Sequence, residues 1–238
     1  IRLTDTLAFK ANGGRFYRVP TFYELFGDRG TAVGNPGLKP EQGVNFDVGF
    51  SWHGDDIGPV ERPFIEYAYF ESRMTDLILF FQNSQRTITA VNIGGAWIGG
   101  DEVAFGFDLL GDFHLTGNYT FQSAIDEGEI PYLKGNALPF RPMHEGYLRV
   151  GWTPAAAVEM WGEGSWMSGN YWDRANLYEV PAREIYNVGL TWHLSSRPNA
   201  GAYSVTVEGK NLSDDRIADI AGYPLPGRSA FVTVQGRW

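Results

Sequence analysis

The chain has 238 residues and no cysteine, and 19 basic against 28 acidic side chains give it a formal charge of -9. No run of about 18 uninterrupted apolar residues is present, which excludes helical membrane spans, and the missing cysteine excludes disulfide frameworks and thiolate metal sites. The acidic balance, without any Lys/Arg-rich run, argues against nucleic acid as a partner. A transmembrane β-barrel stays open, because such a wall hides its apolar surface at every second residue and keeps the mean hydropathy of a soluble protein. The chain opens at Ile1 with no basic n-region or apolar h-region, as expected of a piece of a longer protein.

Period-2 alternation predicts ten strands and no convincing amphipathic helix. In chain order the first is an irregular strand around Leu3 to Phe9, followed by Val44, Phe46, Val48, Phe50 and Trp52 set against Asn45, Asp47, Gly49 and Ser51. Next come an irregular strand around Ile65 to Phe70, then Val103, Phe105, Phe107 and Leu109, then Phe113, Leu115, Tyr119 and Phe121 against His114, Thr116, Asn118, Thr120 and Gln122. Leu148, Val150 and Trp152 mark the sixth, and Val158 to Trp166 the seventh. Tyr186, Val188, Leu190, Trp192 and Leu194 alternate with Asn187, Gly189, Thr191 and His193, and Tyr203, Val205 and Val207 with Ser204, Thr206, Glu208 and Lys210. The last strand sets Ala230, Val232, Val234, Gly236 and Trp238 against Phe231, Thr233, Gln235 and Arg237.

Alternation alone fits a water-soluble sandwich as well as a membrane barrel. Three further features favour the barrel. Trp52, Trp152, Trp166, Trp192 and Trp238 stand near strand ends on the apolar face, as interface girdles do. Connections alternate in length: Ser213 to Gly227, Ser168 to Arg183 and Ser123 to Pro142 are long, whereas Ser195 to Gly201, Pro154 to Ala156 and Gly111-Asp112 are short. Strand glycines such as Gly49, Gly106, Gly162 and Gly189 would weaken a soluble sheet but let a wide barrel wall bend. With the C-terminus on the short-turn side, the long loops are extracellular, and the segment from about Lys10 to Glu41 is the longest of them.

Several phrases resemble one family. Phe16-Tyr17-Arg18-Val19-Pro20-Thr21-Phe22-Tyr23-Glu24-Leu25-Phe26-Gly27 is similar to the F-R-A-P-T-x-x-E-L-F/Y-G of TonB-dependent outer-membrane receptors, and Gly34-Asn35-Pro36-Gly37-Leu38-Lys39-Pro40-Glu41 to their G-N-P-x-L-K-P-E. Thr75-Asp76-Leu77-Ile78 and Asn92 to Glu102 resemble the family's T-D-L-I and N-x-G-x-A-x-I-x-G-x-E. Asn211-Leu212-Ser213-Asp214 and Gly222-Tyr223-Pro224-Leu225-Pro226-Gly227-Arg228 resemble the pair that brackets the last external loop. Departures are Val19 where alanine is common and Trp238 where phenylalanine is common. The resemblance implies an all-β, antiparallel transmembrane barrel, of which residues 1–238 are the C-terminal part, about ten strands of an expected 22. At about 24 residues per strand with its connection, 22 strands take roughly 520 residues, so the plug domain and the N-terminal strands lie outside this chain.

The same resemblance implies a receptor in the bacterial outer membrane for active uptake of an iron-siderophore, cobalamin or similar scarce solute, with no cofactor and no catalysis. Its partners would be the TonB complex through the plug, the barrel assembly machinery and outer-membrane lipid. Phe231, Val234 and Trp238 would form the terminal assembly signal, and Trp238 also reads as an interface anchor. Tyr17, Arg18, Tyr23, Tyr171, Trp172, Arg174, Tyr178 and Tyr223 are the candidate ligand contacts, although packing between loops accounts for them equally well. Asp47, Glu66, Glu102, Asp108, Arg149, Glu163, Glu208, Lys210 and Arg237 would line the interior, several of them facing the plug.

No enzyme motif is complete: His144-Glu145 lacks the second histidine of H-E-x-x-H, and no glycine run completes G-x-G-x-x-G. His114 and His193 read as lumen residues and Asp126, Glu127 and Glu129 as a solvated acidic loop tip. The alternatives are a complete small barrel, acting as passive pore or as hydrolase with His114 and His193, and a soluble β-sandwich binding module.

Overall fold

The alternating segments form ten long strands that pair in chain order. The computed structural model describes residues 1–28, 30–82, 86–194, 202–216 and 224–237. Expectations placed on Tyr223, Trp238, the Arg237 side chain and the turn at 195–201 lie outside them. The strands are β1 (Leu7–Arg18), β2 (Ala32–Val33), β3 (Glu41–His53), β4 (Val60–Gln82), β5 (Ile88–Leu109), β6 (Phe113–Asp126) and β7 (His144–Ala155). They continue with β8 (Val158–Met167), β9 (Asn170–Tyr171), β10 (Glu179–Val180), β11 (Arg183–His193), β12 (Ala202–Lys210) and β13 (Ser229–Arg237). Among the described residues one helix is present, α1 (Phe22–Phe26).

The main sheet runs β1-β3-β4-β5-β6-β7-β8-β11-β12-β13, every neighbour antiparallel, with β2 added in parallel to β5. β9 and β10 make a separate two-stranded ribbon. The sheet is not closed on itself, so β1 and β13 are its edges. Directly opposed residues share a face, so the registers can be followed across the wall. Trp52, Ile65, Phe105 and Gly117 form one such row, as do Phe113, Trp152, Met160 and Leu190. Asp47, Glu66, Glu102, Asp108, Arg149, Glu163, Glu208 and Lys210 fall on the opposite face, as the alternation predicts.

Short connections come at one end. At Leu109–Asp112 the central residues Leu110 and Gly111 have φ of 56° and 73°, the sign that the hairpin-favoured mirror turns need to match strand twist. At Gly100, on the polar face, a Cβ would lie 2.0 Å from the Phe121 carbonyl, so only glycine lets β5 and β6 approach there.

Three strands differ from their predicted extents. β1 begins at Leu7 and runs to Arg18, so the long connection after it is 19–40 rather than 10–41. Ala11-Asn12-Gly13-Gly14 carries no alternation, yet its backbone pairs with β3 from Leu7↔Trp52 to Arg18↔Glu41, so the partner strand supplies the order that side chains do not. β4 and β5 extend to 23 and 22 residues because Leu77-Ile78-Leu79-Phe80-Phe81 is a continuous apolar run rather than an alternating one. Such runs signal burial from both sides. There Ile93, Ala96, Ala124 and Leu138 form a buried cluster, with Met74, Leu77, Leu79 and Val91 packed against it, at the long-loop end of the wall.

Candidate functional site

The long-loop end is built from the motif phrases, which the fold brings into contact. Arg18, at the end of β1, is the centre of one node. Its Nε and one terminal nitrogen donate to Glu41 at 2.6 Å each, and its guanidinium also donates to both oxygens of Glu24 at 3.0 and 3.1 Å. Glu41 accepts in addition the backbone N–H of Ile78 at 2.8 Å, which ties β3 to β4. Glu24 belongs to a capping box: Thr21 N–H donates to its carboxylate at 2.6 Å and Glu24 N–H donates to the Thr21 hydroxyl at 3.3 Å. Both carboxylates are buried, with side-chain exposures of 8% for Glu24 and 6% for Glu41, while Arg18 retains 39%. Burial pushes the Glu24 carboxyl up, but the hydrogen bonds from Arg18 and from Thr21 outweigh it and hold the group below the usual glutamate range.

A second node joins two other phrases. Asn92 donates to the Lys39 and Asp76 carbonyls at 3.0 and 2.6 Å and accepts from Lys39 N–H at 2.8 Å, while Asn35 donates to the Ala90 carbonyl at 2.9 Å. Gly27, at the end of α1, has φ of 69° and lies so close to the Ala32 carbonyl that a Cβ would meet it at 2.1 Å. The final phrases behave alike: Asn211 donates to the carbonyls of Asp215 and Pro226 at 2.8 and 2.9 Å, and Asp214 accepts from Arg228 N–H at 2.9 Å.

A third node welds the loop after β6 to the loop after β8. Arg174 forms an ion pair with Asp126, both buried; Asn136 donates to the Arg174 carbonyl at 3.0 Å, and Asn176 exchanges hydrogen bonds with Ala137 at 2.9 Å each way. This corrects the reading of 126–129 as a solvated tip. Glu127 and Glu129 are exposed, but Asp126 turns inward because Arg174 and the Gly128 N–H supply its hydrogen bonds.

The candidate contacts fall into two groups. Tyr17 and Tyr23, beside the Arg18 node, are exposed, and the Tyr23 ring packs against Phe80 with centroids 5.6 Å apart and planes tilted by 50°. Tyr178 is exposed on the loop after β8, with Tyr171 and Trp172 half-buried near it. Arg18 and Arg174 are committed to carboxylates, so they frame these surfaces rather than extend from them. Glu24, Glu41 and Asn92 carry the framework and were not singled out from sequence; the Thr21-x-x-Glu24 capping spacing was the one local signal available. On the polar face His114 pairs with Asp108 and His193 with Glu159, with β7 and β8 between the two strands, so no single acid-base cluster forms from them.

The description TonB dependent receptor-like, beta-barrel, matches residues 2–212. The chain belongs to the TonB-dependent receptor β-barrel family. It is 23% identical over 237 residues to the vitamin B12 transporter BtuB of Photobacterium profundum, covering 97% of this chain and 35% of that protein. In structure it is similar to the copper transporter OprC, with a TM-score of 0.77 and 16% identity over 98% of this chain and 37% of that one. The unliganded ferric citrate transporter FecA gives 0.75 at 17% identity, over 99% of this chain and 36% of that one. The chain therefore spans about a third of the length of these relatives.

Proposed function

We propose that the protein containing this chain is an outer-membrane receptor driving TonB-dependent uptake of a scarce metal complex, an iron-siderophore, a cobalamin or a similar solute. The observation that carries the reading is the division of the wall. Toward the short-turn end one face is apolar while the other bears paired charges, and the long connections gather at the opposite end, where the family's phrases interlock. The apolar face meets lipid and the polar face lines the lumen. Vitamin B12, ferric citrate and copper are the cargoes that the names of similar proteins give, and all are metal species.

On the polar face a cleft of about 320 Å³ is lined by Asp47, Glu66 and Glu102, with Lys10, Asn12 and Thr120. Its acidic side suits cationic groups on a plug, through which the TonB complex would act. Tyr17, Tyr23 and Tyr178 are the exposed ligand contacts at the extracellular end, with Tyr171 and Trp172 near Tyr178, Arg18 and Arg174 holding the segments that carry them, and Tyr223 a further candidate. At the periplasmic C-terminus Val234 lies on the apolar face and Phe231 on the other, a pattern suited to the barrel assembly machinery. The test is uptake of labelled siderophore complexes and cobalamin by a deletion strain, with and without the intact gene and with and without TonB. Gene-dependent uptake that survives loss of TonB would overturn the reading.

A further inference from the structure

The connection from β1 to β3 does not arch directly between them. It crosses β3 and β4 and pairs in parallel with β5, Ala32 opposite Ile88 and Val33 opposite Thr89. Its side-chain anchors stand on one face of the wall. Arg18 and Glu41 are directly opposed and in step with Asp47. The β4–β5 register runs unshifted from Phe64↔Gly106 to Gln82↔Ile88, which puts Phe80 and Asn92 in step with Glu66 and Glu102. Tyr23 packs on Phe80, and Asn92 donates to the Lys39 carbonyl. The connection is therefore folded onto the polar face, across the mouth of the lumen.

Within it α1 is inside out. Its buried residue is the charged Glu24, held by Arg18 and Thr21, whereas Phe22 and Phe26, one turn apart, are 83% and 62% exposed. Their ring centroids lie 5.9 Å from each other, so the two form one apolar knob. The knob is fixed from behind. Asn35 N–H donates to the Glu24 carbonyl at 2.9 Å, and at Gly34 a Cβ would come within 2.4 Å of the Leu25 carbonyl. Two large rings held rigidly away from the wall leave apolar surface in water, which a partner would cover.

The position of the knob names that partner. Lipid meets the other face of the wall. The acidic cleft lined by Asp47, Glu66 and Glu102 lies on the same face of the same strands, β3, β4 and β5, that the connection crosses. The chain makes up about a third of the length of its relatives, which leaves ample chain for a domain inside the lumen. We propose that Phe22 and Phe26 seat in an apolar socket on the outward end of the plug. The plug is then gripped twice by this stretch of wall, by rings at the mouth and by carboxylates deeper in the lumen, and its withdrawal has to unseat the rings. The inference rests on the reading of the chain as part of a plugged receptor.

The test places photoreactive benzoylphenylalanine at position 22 or 26 of the full-length receptor in outer membranes and identifies crosslinked peptides by mass spectrometry. Both positions are expected to capture the plug, and the same group at Phe46, exposed on the apolar face, to capture none of it. Phe22→Ala/Phe26→Ala should speed hydrogen exchange in the captured plug peptides about tenfold, whereas Phe22→Leu/Phe26→Leu, which keeps most of the apolar bulk, should stay within about threefold of wild type. Heat-modifiable migration checks that each barrel is folded. Crosslinks confined to other long connections or to a second copy of the receptor would overturn the proposal. So would plug exchange unmoved by the alanine pair, and weakened binding of cyanocobalamin or ferric citrate beside that unmoved exchange would assign the rings to the solute instead. Uptake with and without TonB is measured in the same strains. Plug capture with TonB-independent uptake would sink the transport reading and leave the docking standing, whereas TonB-dependent uptake without plug capture would sink the docking alone.

Discussion

Replacing Glu41 with glutamine isolates the Arg18 node. The substitution keeps the volume and one acceptor but removes the charge that receives two 2.6 Å hydrogen bonds from Arg18, and it places an amide NH₂ against a guanidinium. Breaking a buried pair by removing one partner costs about 3–5 kcal/mol. Arg18 is 39% exposed and keeps Glu24, so solvent and the second carboxylate reduce that to about 2–3 kcal/mol. At about 1.4 kcal/mol per tenfold, local opening of the segment should rise roughly 30- to 140-fold. Hydrogen exchange of the full-length receptor reads it directly: amides of 19–40 and Ile78 N–H, which donates to Glu41, should exchange faster by that factor, while β7 and β8 remain protected. Arg18→Ala combined with Glu41→Gln should cost less than the sum of the two single changes. Unchanged exchange at 19–40 and Ile78 would refute the assignment of the node as the clamp on this segment.

Protection of the same segment should depend on pH through Glu24. Its folded pKa is depressed, so its contribution is complete above the ordinary glutamate value of about 4.3 and is lost only as pH falls through the lower folded value. Exchange of 19–40, corrected for intrinsic rates, should be flat from neutral pH to about 5 and accelerate below about 4.3. Asp126→Ala or Arg174→Ala should each destabilise the paired loops by about 3–5 kcal/mol, and the double variant by little more, read as exchange in 127–143 and 168–182. Tyr17→Ala and Tyr178→Ala, both at exposed positions, should raise the uptake KM about tenfold or more with unchanged outer-membrane levels. An unaltered KM would remove these tyrosines from the ligand surface.

Much of the wall was legible because half of each strand faces one solvent and half another. Val44 to Trp52, Tyr186 to Trp192 and Ala230 to Gly236 lie in β3, β11 and β13 with the predicted faces, since period-2 alternation is the direct imprint of a two-sided sheet. Where that imprint is absent, so was the strand: Ala11 to Gly14 owes its order to β3, and in Leu77 to Phe81 the side chains of Leu77, Leu79 and Phe81 pack on the cluster around Ile93 while Phe80 stays exposed.

The phrases that marked the family were readable as phrases, but not what they do. Arg18 and Glu41 stand 23 positions apart, Lys39 and Asn92 53, and Asp126 and Arg174 48. Their meeting depends on strand registers and loop return, which no local pattern encodes. Residue identity by itself determined the strand faces, the alternation of loop lengths and the family resemblance, because each is carried by neighbours along the chain. Only the tertiary structure decided that Arg18 and Arg174 are held by buried carboxylates. A charge's availability depends on which partner the fold brings within hydrogen-bond reach, and that partner lies far away in sequence.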